Sequence, residues 1–253
     1  MLIFDFDGVL INSIHEVTVT ACNAASGESA TTLEELPEDL VALFQRNRFH
    51  AQEAPGVFSL MDWCRRHFEQ QADHLLSPPE FQSILSEDQR PAEDRRERFF
   101  ETRRRFVEEN KDAWFSLNAP YQPLWNALRE RGGHRVVLLT SKNRTAAGDL
   151  CRHFDLKVAD ENIYSGDGGT NKIDNMNRIQ ERFQRSSYTF VDDNLANLKQ
   201  LDDHFNENKD FLHLLMASWG YVGPDDRDRA REAGYPYITQ TDLIRRLDGE
   251  PPA

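Results

Sequence analysis

The chain has 253 residues, 39% of them hydrophobic, and 43 acidic side chains against 30 basic ones give a formal charge of -13. A chain of this length buries roughly 70–75% of the surface its unfolded form exposes, so one or two domains can rest on apolar burial without disulfides or structural metal. The acidic balance excludes a general coat for nucleic acid or an anionic membrane, and Cys22, Cys64 and Cys151, far apart with no C-x-x-C pair, fit neither a disulfide framework nor a zinc cluster. They read as buried thiols in a reducing compartment, and the expected location is cytoplasmic.

In chain order, residues 2–6 form an apolar run that carries carboxylates at positions 5 and 7, with no basic region before it, and read as a strand rather than a signal peptide. No later stretch approaches the roughly 20 apolar residues of a membrane span. From residue 13 to 117 the pattern turns helical, at 33–49, 57–70, 79–85 and 93–114, with no strand. The run 93–109 balances six arginines against six acids and reads as a helix laced with salt bridges, not as a nucleic-acid stripe. The prolines of 118–123 mark a hinge. Beyond it, helical patterns at 124–131, 145–154, 173–183 and 195–205 alternate with strand candidates at 135–140, 188–192, 212–217 and, more weakly, 237–239. Such alternation predicts an α/β fold: a Rossmann-like core whose parallel sheet carries helices on both faces. The expected organisation is a core of residues 1–13 and 118–253, with 14–117 as a separate helical cap.

Carboxylates gather at the strand ends. Asp5 and Asp7 are two apart on a strand and therefore share a face, at the carboxyl edge where open α/β sheets bind ligands. Two neighbouring buried carboxylates ask for a cation between them. Oxygen ligands favour Mg²⁺, and Gly8 allows a tight turn beside it. Asp192 and Asp193 close another strand, and with Asn194 they also suit the start of the helix that follows. Thr140 and Ser141 end the second strand and offer hydroxyls to an oxyanion. Lys172 opens the helical pattern at 173–183, while the glycines at 166, 168 and 169 match neither the G-x-G-x-x-G nor the P-loop spacing.

The order Asp5/Asp7, Thr140, Lys172, Asp192/Asp193 resembles the haloacid dehalogenase superfamily, whose four motifs are a D-x-D, a Ser/Thr, a Lys or Arg, and a terminal acidic pair. The helical segment between the first two motifs is similar to that family's C1 cap. The segments 121–132, 140–143 and 217–221 are similar to phosphoglycolate-phosphatase-like members. The resemblance implies Asp5 as nucleophile, Asp7 as general acid/base, Thr140 and Ser141 as contacts to phosphoryl oxygens, and Lys172 as the screening cation. It implies Mg²⁺ as cofactor, with Asp5, Asp7, Asp193 and, through water, Asp192 as its ligands. Asn197 stands where many members carry a third acid, and Asn12 departs from the aspartate that often ends the first motif. Arg46, Arg48 and His50 are the candidates to meet a substrate's distal anion.

The implied activity is that of a Mg²⁺-dependent phosphatase acting on a small phosphorylated metabolite through an aspartyl phosphate. Asp7 argues for phosphate chemistry, because dehalogenases of the superfamily lack it. A phosphomutase of the β-phosphoglucomutase type shares the same motifs, and a module that keeps the fold for binding or regulation is the reading from another class. The expected partner is the metabolite alone, with no nucleic acid and no membrane, in a monomer or homodimer.

Overall fold

The computed structural model describes residues 1–133, 135–206 and 211–249. Residues 134, 207–210 and 250–253, which belong to the expected core, lie outside the described residues. The chain divides into two compact units, Met1–Asn12 with Pro120–Ala253, and Ser13–Ala119.

Strand β1 (Leu2–Phe4) opens the first unit, with Ile3 and Phe4 both buried, as a parallel strand covered on both faces requires. A tight loop follows. Gly8 sits at φ +84 and donates its N–H to the Ile11 carbonyl, while the N–H groups of Leu10 and Ile11 both reach the Phe6 carbonyl at 2.9 Å. The left-handed backbone there favours glycine. The short extended segment β2 (Ile11–Asn12) then leads out of the unit.

The second unit is helical: α1 (Ile14–Ser26), α2 (Glu38–Asn47), α3 (Ala54–Gln71), α4 (Pro78–Glu87), α5 (Ala92–Glu109) and α6 (Lys111–Ser116). Helix α3 is the central element, packing on α1, α2, α4 and α5 and burying Val57, Phe58, Leu60, Met61 and Cys64. Glu16 of α1 is fully buried and meets Arg103 of α5 through two hydrogen bonds of 2.8 Å, with the Thr20 hydroxyl donating a third. Removing one partner from such a buried pair is strongly destabilising.

Two sequence-level helices are divided here. Pro37 forces Leu36 into an extended conformation, so 33–49 becomes a 3-10 turn at Leu33–Glu35 followed by α2. Asn110, a poor helix former, breaks 93–114 into α5 and α6. Helix α1 was not anticipated. It is buried continuously from Glu16 to Ala24 and rich in alanine and threonine, so it shows no polar face.

A second extended segment, β3 (Ala119–Pro120), spans the return boundary. The first unit continues through α7 (Gln122–Glu130), β4 (Leu138–Leu139), α8 (Arg144–His153), β5 (Ile163–Tyr164), α9 (Lys172–Phe183), β6 (Tyr188–Asp192), α10 (Leu195–Phe205), β7 (Leu212–Ala217), α11 (Asp226–Glu232), β8 (Tyr237–Ile238) and α12 (Gln240–Leu247). The six-stranded sheet runs β5-β4-β1-β6-β7-β8 with every described pairing parallel. Strand β5 is too short to show a pattern of its own in the sequence. On one face Tyr188, Phe190, Leu212, Leu214 and Met216 pack against Met176 and Ile179 of α9 and Leu198 and Leu201 of α10. The strand order reverses between β1 and β6, and the crevice at such a switch point is where open α/β sheets bind ligands. Among the described residues, no helix is long and apolar enough to cross a membrane.

Candidate active site

Asp5 follows β1 directly. The register that aligns Ile3 with Phe190 and Phe4 with Val191 sets Asp5 beside Asp192, the last residue of β6. One carboxylate oxygen from each of Asp5, Asp192 and Asp193 lies within 4.8 Å of the others, and all three residues are buried. Three such acids repel one another unless a cation compensates. Lys172 supplies one: its Nζ donates to Asp5 Oδ1 at 2.9 Å and to Asp192 Oδ2 at 2.5 Å. The lysine is delivered by the first turn of α9, where the Asn171 side chain accepts the Asp174 N–H at 2.9 Å and fixes the helix start.

Burial pushes the Asp5 carboxyl well above the usual carboxylate range; Lys172 works against that, and Asp192 and Asp193 reinforce it. Burial disfavours the Lys172 ammonium, but the charges of Asp192 and Asp5 prevail and hold it protonated above the ordinary lysine value. When all three acids are ionised, one lysine leaves the cluster with two negative charges in excess.

The surrounding contacts shape these acids further. Asp192 Oδ1 accepts the Asn194 N–H at 2.9 Å, and its Oδ2 accepts the Asn197 side-chain amide at 3.0 Å. Asn197 therefore steadies the Asp192 carboxylate. Asp193 Oδ2 accepts the Tyr221 N–H at 2.6 Å. A Cβ placed on either Gly8 or Gly220 would overlap the Asp193 carboxylate, so both glycines are needed for the backbone to close around it. The Trp219 indole N–H donates to the Val9 carbonyl at 2.9 Å and ties the loop after β7 to the loop after β1. A compact, all-oxygen cluster with a surplus of negative charge fits a hard divalent cation.

Asp7 is placed differently. Its carboxylate is outside the three-acid group and receives the Lys142 ammonium at 2.9 and 3.3 Å. Thr140 is buried beyond the end of β4, its N–H on the Tyr164 carbonyl at 2.9 Å and its hydroxyl oxygen accepting the Lys142 N–H at 3.1 Å. Ser141, beside it, is exposed. Lys142 had no task in the sequence reading, because a lysine in a loop ordinarily belongs to the surface. Tyr121 was missed as well: burial, followed by the charges of Asp193 and Asp7, raises its phenol above the usual tyrosine value.

Arg46, Arg48 and His50 lie in the helical unit and have partners within it. Arg46 pairs with Asp73 at 2.8 Å, Arg48 donates to the Ala51 carbonyl, and the His50 ring is hydrogen-bonded to the Leu76 carbonyl at 2.7 Å and stacked on Phe81.

Several solved structures share the fold over nearly the whole chain. A protein described as a phosphatase from Clostridium acetobutylicum aligns with a TM-score of 0.59 at 16% identity, covering 98% of this chain and 97% of its own. Protein tyrosine kinase A of Mycobacterium tuberculosis aligns at 0.55 and 18% identity, with the same coverage. A protein described as a phosphoglycolate phosphatase from Lactobacillus delbrueckii subsp. bulgaricus aligns at 0.54 and 13% identity, covering 97% of both chains. No curated protein sequence matches significantly. At these identities the likeness establishes the fold, and the sequence itself carries the family: residues 1–201 match the model of the haloacid dehalogenase-like hydrolases. The chain is a member of the haloacid dehalogenase-like hydrolase family.

Proposed function

We propose that this hydrolase is a Mg²⁺-dependent phosphatase of small phosphorylated metabolites, working through a phosphoryl group held transiently on Asp5. The observation that carries the reading is the contact of Lys172 with both Asp5 and Asp192 inside the three-carboxylate cluster. The structural relatives described as phosphatases are consistent with it. In this reading the helical unit is the C1 cap, which selects the substrate.

Asp5, Asp192 and Asp193 would hold the cation, which supplies charge neutralisation for the phosphoryl oxygens and for the attacking carboxylate. An Asp5 oxygen attacks phosphorus, the bond from phosphorus to the ester oxygen breaks, and its electron pair leaves with that oxygen. Asp7 delivers the proton that turns the leaving group into an alcohol. A water oxygen then attacks the same phosphorus while Asp7 takes its proton, the bond to Asp5 breaks, and inorganic phosphate departs with Asp5 and Asp7 restored. Lys172 holds the Asp5 carboxylate in place by a charge-assisted hydrogen bond, and the Thr140 hydroxyl and loop N–H groups donate to the phosphoryl oxygens. No step uses Arg46 or Arg48, whose contacts in the helical unit are with their own neighbours.

The test is a phosphate-release screen over sugar phosphates, phosphoglycolate and nucleotides with Mg²⁺, run on the native protein and on Asp5→Asn. Release by the native protein and none above background by Asp5→Asn is expected. Full metal-dependent turnover by Asp5→Asn would refute the nucleophile assignment.

A further inference from the structure

Lys142, in the loop beyond β4, and Lys172, in the first turn of α9, are both buried, and they serve different acids. Lys172 meets Asp5 and Asp192, whereas Lys142 meets Asp7. The Lys142 side chain is 1% exposed, against 29% for Asp7, so the cation is sealed in while the acid stays open to solvent on one side. Desolvating an ammonium is strongly unfavourable, a cost that a lysine screening only surface charge would not incur. Its Nζ reaches both carboxylate oxygens, at 2.9 and 3.3 Å, and so restrains the plane of the carboxylate as well as its position. The lysine is itself anchored, because its backbone N–H donates to the Thr140 hydroxyl oxygen on the rigid end of β4. Asp7 by contrast sits on a loop, bracketed by the Phe6 and Gly8 turn hydrogen bonds. A loop carboxylate that must deliver a proton to one defined oxygen gains from a fixed partner, since general acid catalysis depends on placement before it depends on acidity.

We propose that Lys142 is a positioning residue for Asp7, orienting its carboxylate for proton transfer to the leaving oxygen and from the attacking water. This inference rests on the phosphatase reading above. The need for a placed acid grows with the basicity of the leaving group: an alkoxide requires the proton, and a nitrophenolate leaves without it. Removing Lys142 should therefore slow alkyl esters far more than activated aryl esters in the first half of the reaction. It should slow hydrolysis of the aspartyl phosphate for both, because that half always needs Asp7 to accept a proton from water.

The experiment compares the native protein with Lys142→Met, Lys142→Gln and Lys142→Arg, all with Mg²⁺, on an alkyl phosphate and on p-nitrophenyl phosphate, with rapid mixing to resolve the first turnover. For Lys142→Met and Lys142→Gln, kcat on the alkyl ester should fall by about 10²-fold, the low end of what general acid–base groups contribute. KM should stay unchanged. The aryl ester should give a nitrophenolate burst at nearly the native rate, followed by slow turnover, and Lys142→Arg should restore part of the alkyl activity. Equal losses on both esters in the rate of the first turnover, or a rise in KM with kcat preserved, would overturn the proposal, the second outcome making Lys142 a substrate contact. Thermal melting of each variant identifies any that fails to fold, and Lys142→Gln, which keeps a hydrogen-bond donor, secures the comparison if Lys142→Met does. If the native protein releases phosphate from neither ester, the phosphatase reading itself fails, an outcome visible before any variant is compared.

Discussion

Lys172 and Asp5 are 167 positions apart in the chain and 2.9 Å apart in the structure. The same ammonium reaches Asp192 at 2.5 Å, so one cation holds together the ends of β1 and β6 beside the start of α9. Its removal would leave three buried carboxylates facing one another.

Lys172→Met should therefore destabilise the protein by about 3–5 kcal/mol, the usual cost of breaking a buried ion pair from one side. Urea unfolding in the presence of a chelator measures it. Part of the loss should be recovered by adding Mg²⁺, because a bound cation replaces the missing charge.

Metal binding should itself be visible as stability. A divalent cation at about 100 times its dissociation constant adds about 2.7 kcal/mol to the native state. The melting temperature of chelator-treated protein should rise on adding Mg²⁺, and the rise should vanish in Asp193→Asn. An equal rise in both proteins would show that the cation binds elsewhere.

Gly220→Ala tests the cradle around Asp193. The added Cβ would overlap that carboxylate and the Gly8 carbonyl, so one of them must shift. Changes just behind metal ligands typically lower metal affinity by about 10- to 100-fold. Calorimetric titration with Mg²⁺ should show a weakening of that order.

The helical unit should respond to acid through Asp88. Burial works against its charge, but hydrogen bonds from Arg90 and Ser59 prevail and hold its carboxyl at about 2. A depressed native value means that the stabilisation is complete above the ordinary aspartate range, near 4, and is lost as the pH falls towards 2. Over that interval the native protein should lose stability more steeply than Asp88→Asn, as measured by chemical unfolding at a series of pH values. Parallel curves would remove Asp88 from the acid response.

The class of the fold and the chemical inventory of the site are legible in the amino-acid pattern alone. Strands such as 188–192 and 212–217 are legible because a parallel strand covered on both faces must be apolar throughout, and α7, α8, α9 and α10 are legible because their buried residues recur at helical spacing. Asp5, Asp192 and Asp193 could be singled out because charged groups at the ends of such strands have no role in the core, and Lys172, at the start of a helix, by its place in the order of motifs. Tertiary structure decided what each of them touches. The sheet register sets Asp5 beside Asp192, and no local pattern encodes that register. Only packing shows that Asn197 serves Asp192 and that Lys142 is buried against Asp7, since an asparagine five residues beyond an aspartate is not chemically distinctive and Lys142 stands 135 positions from Asp7. Helix α1 stayed hidden for a related reason: periodicity reports the contrast between a wet face and a dry one, and a helix enclosed on all sides has no such contrast.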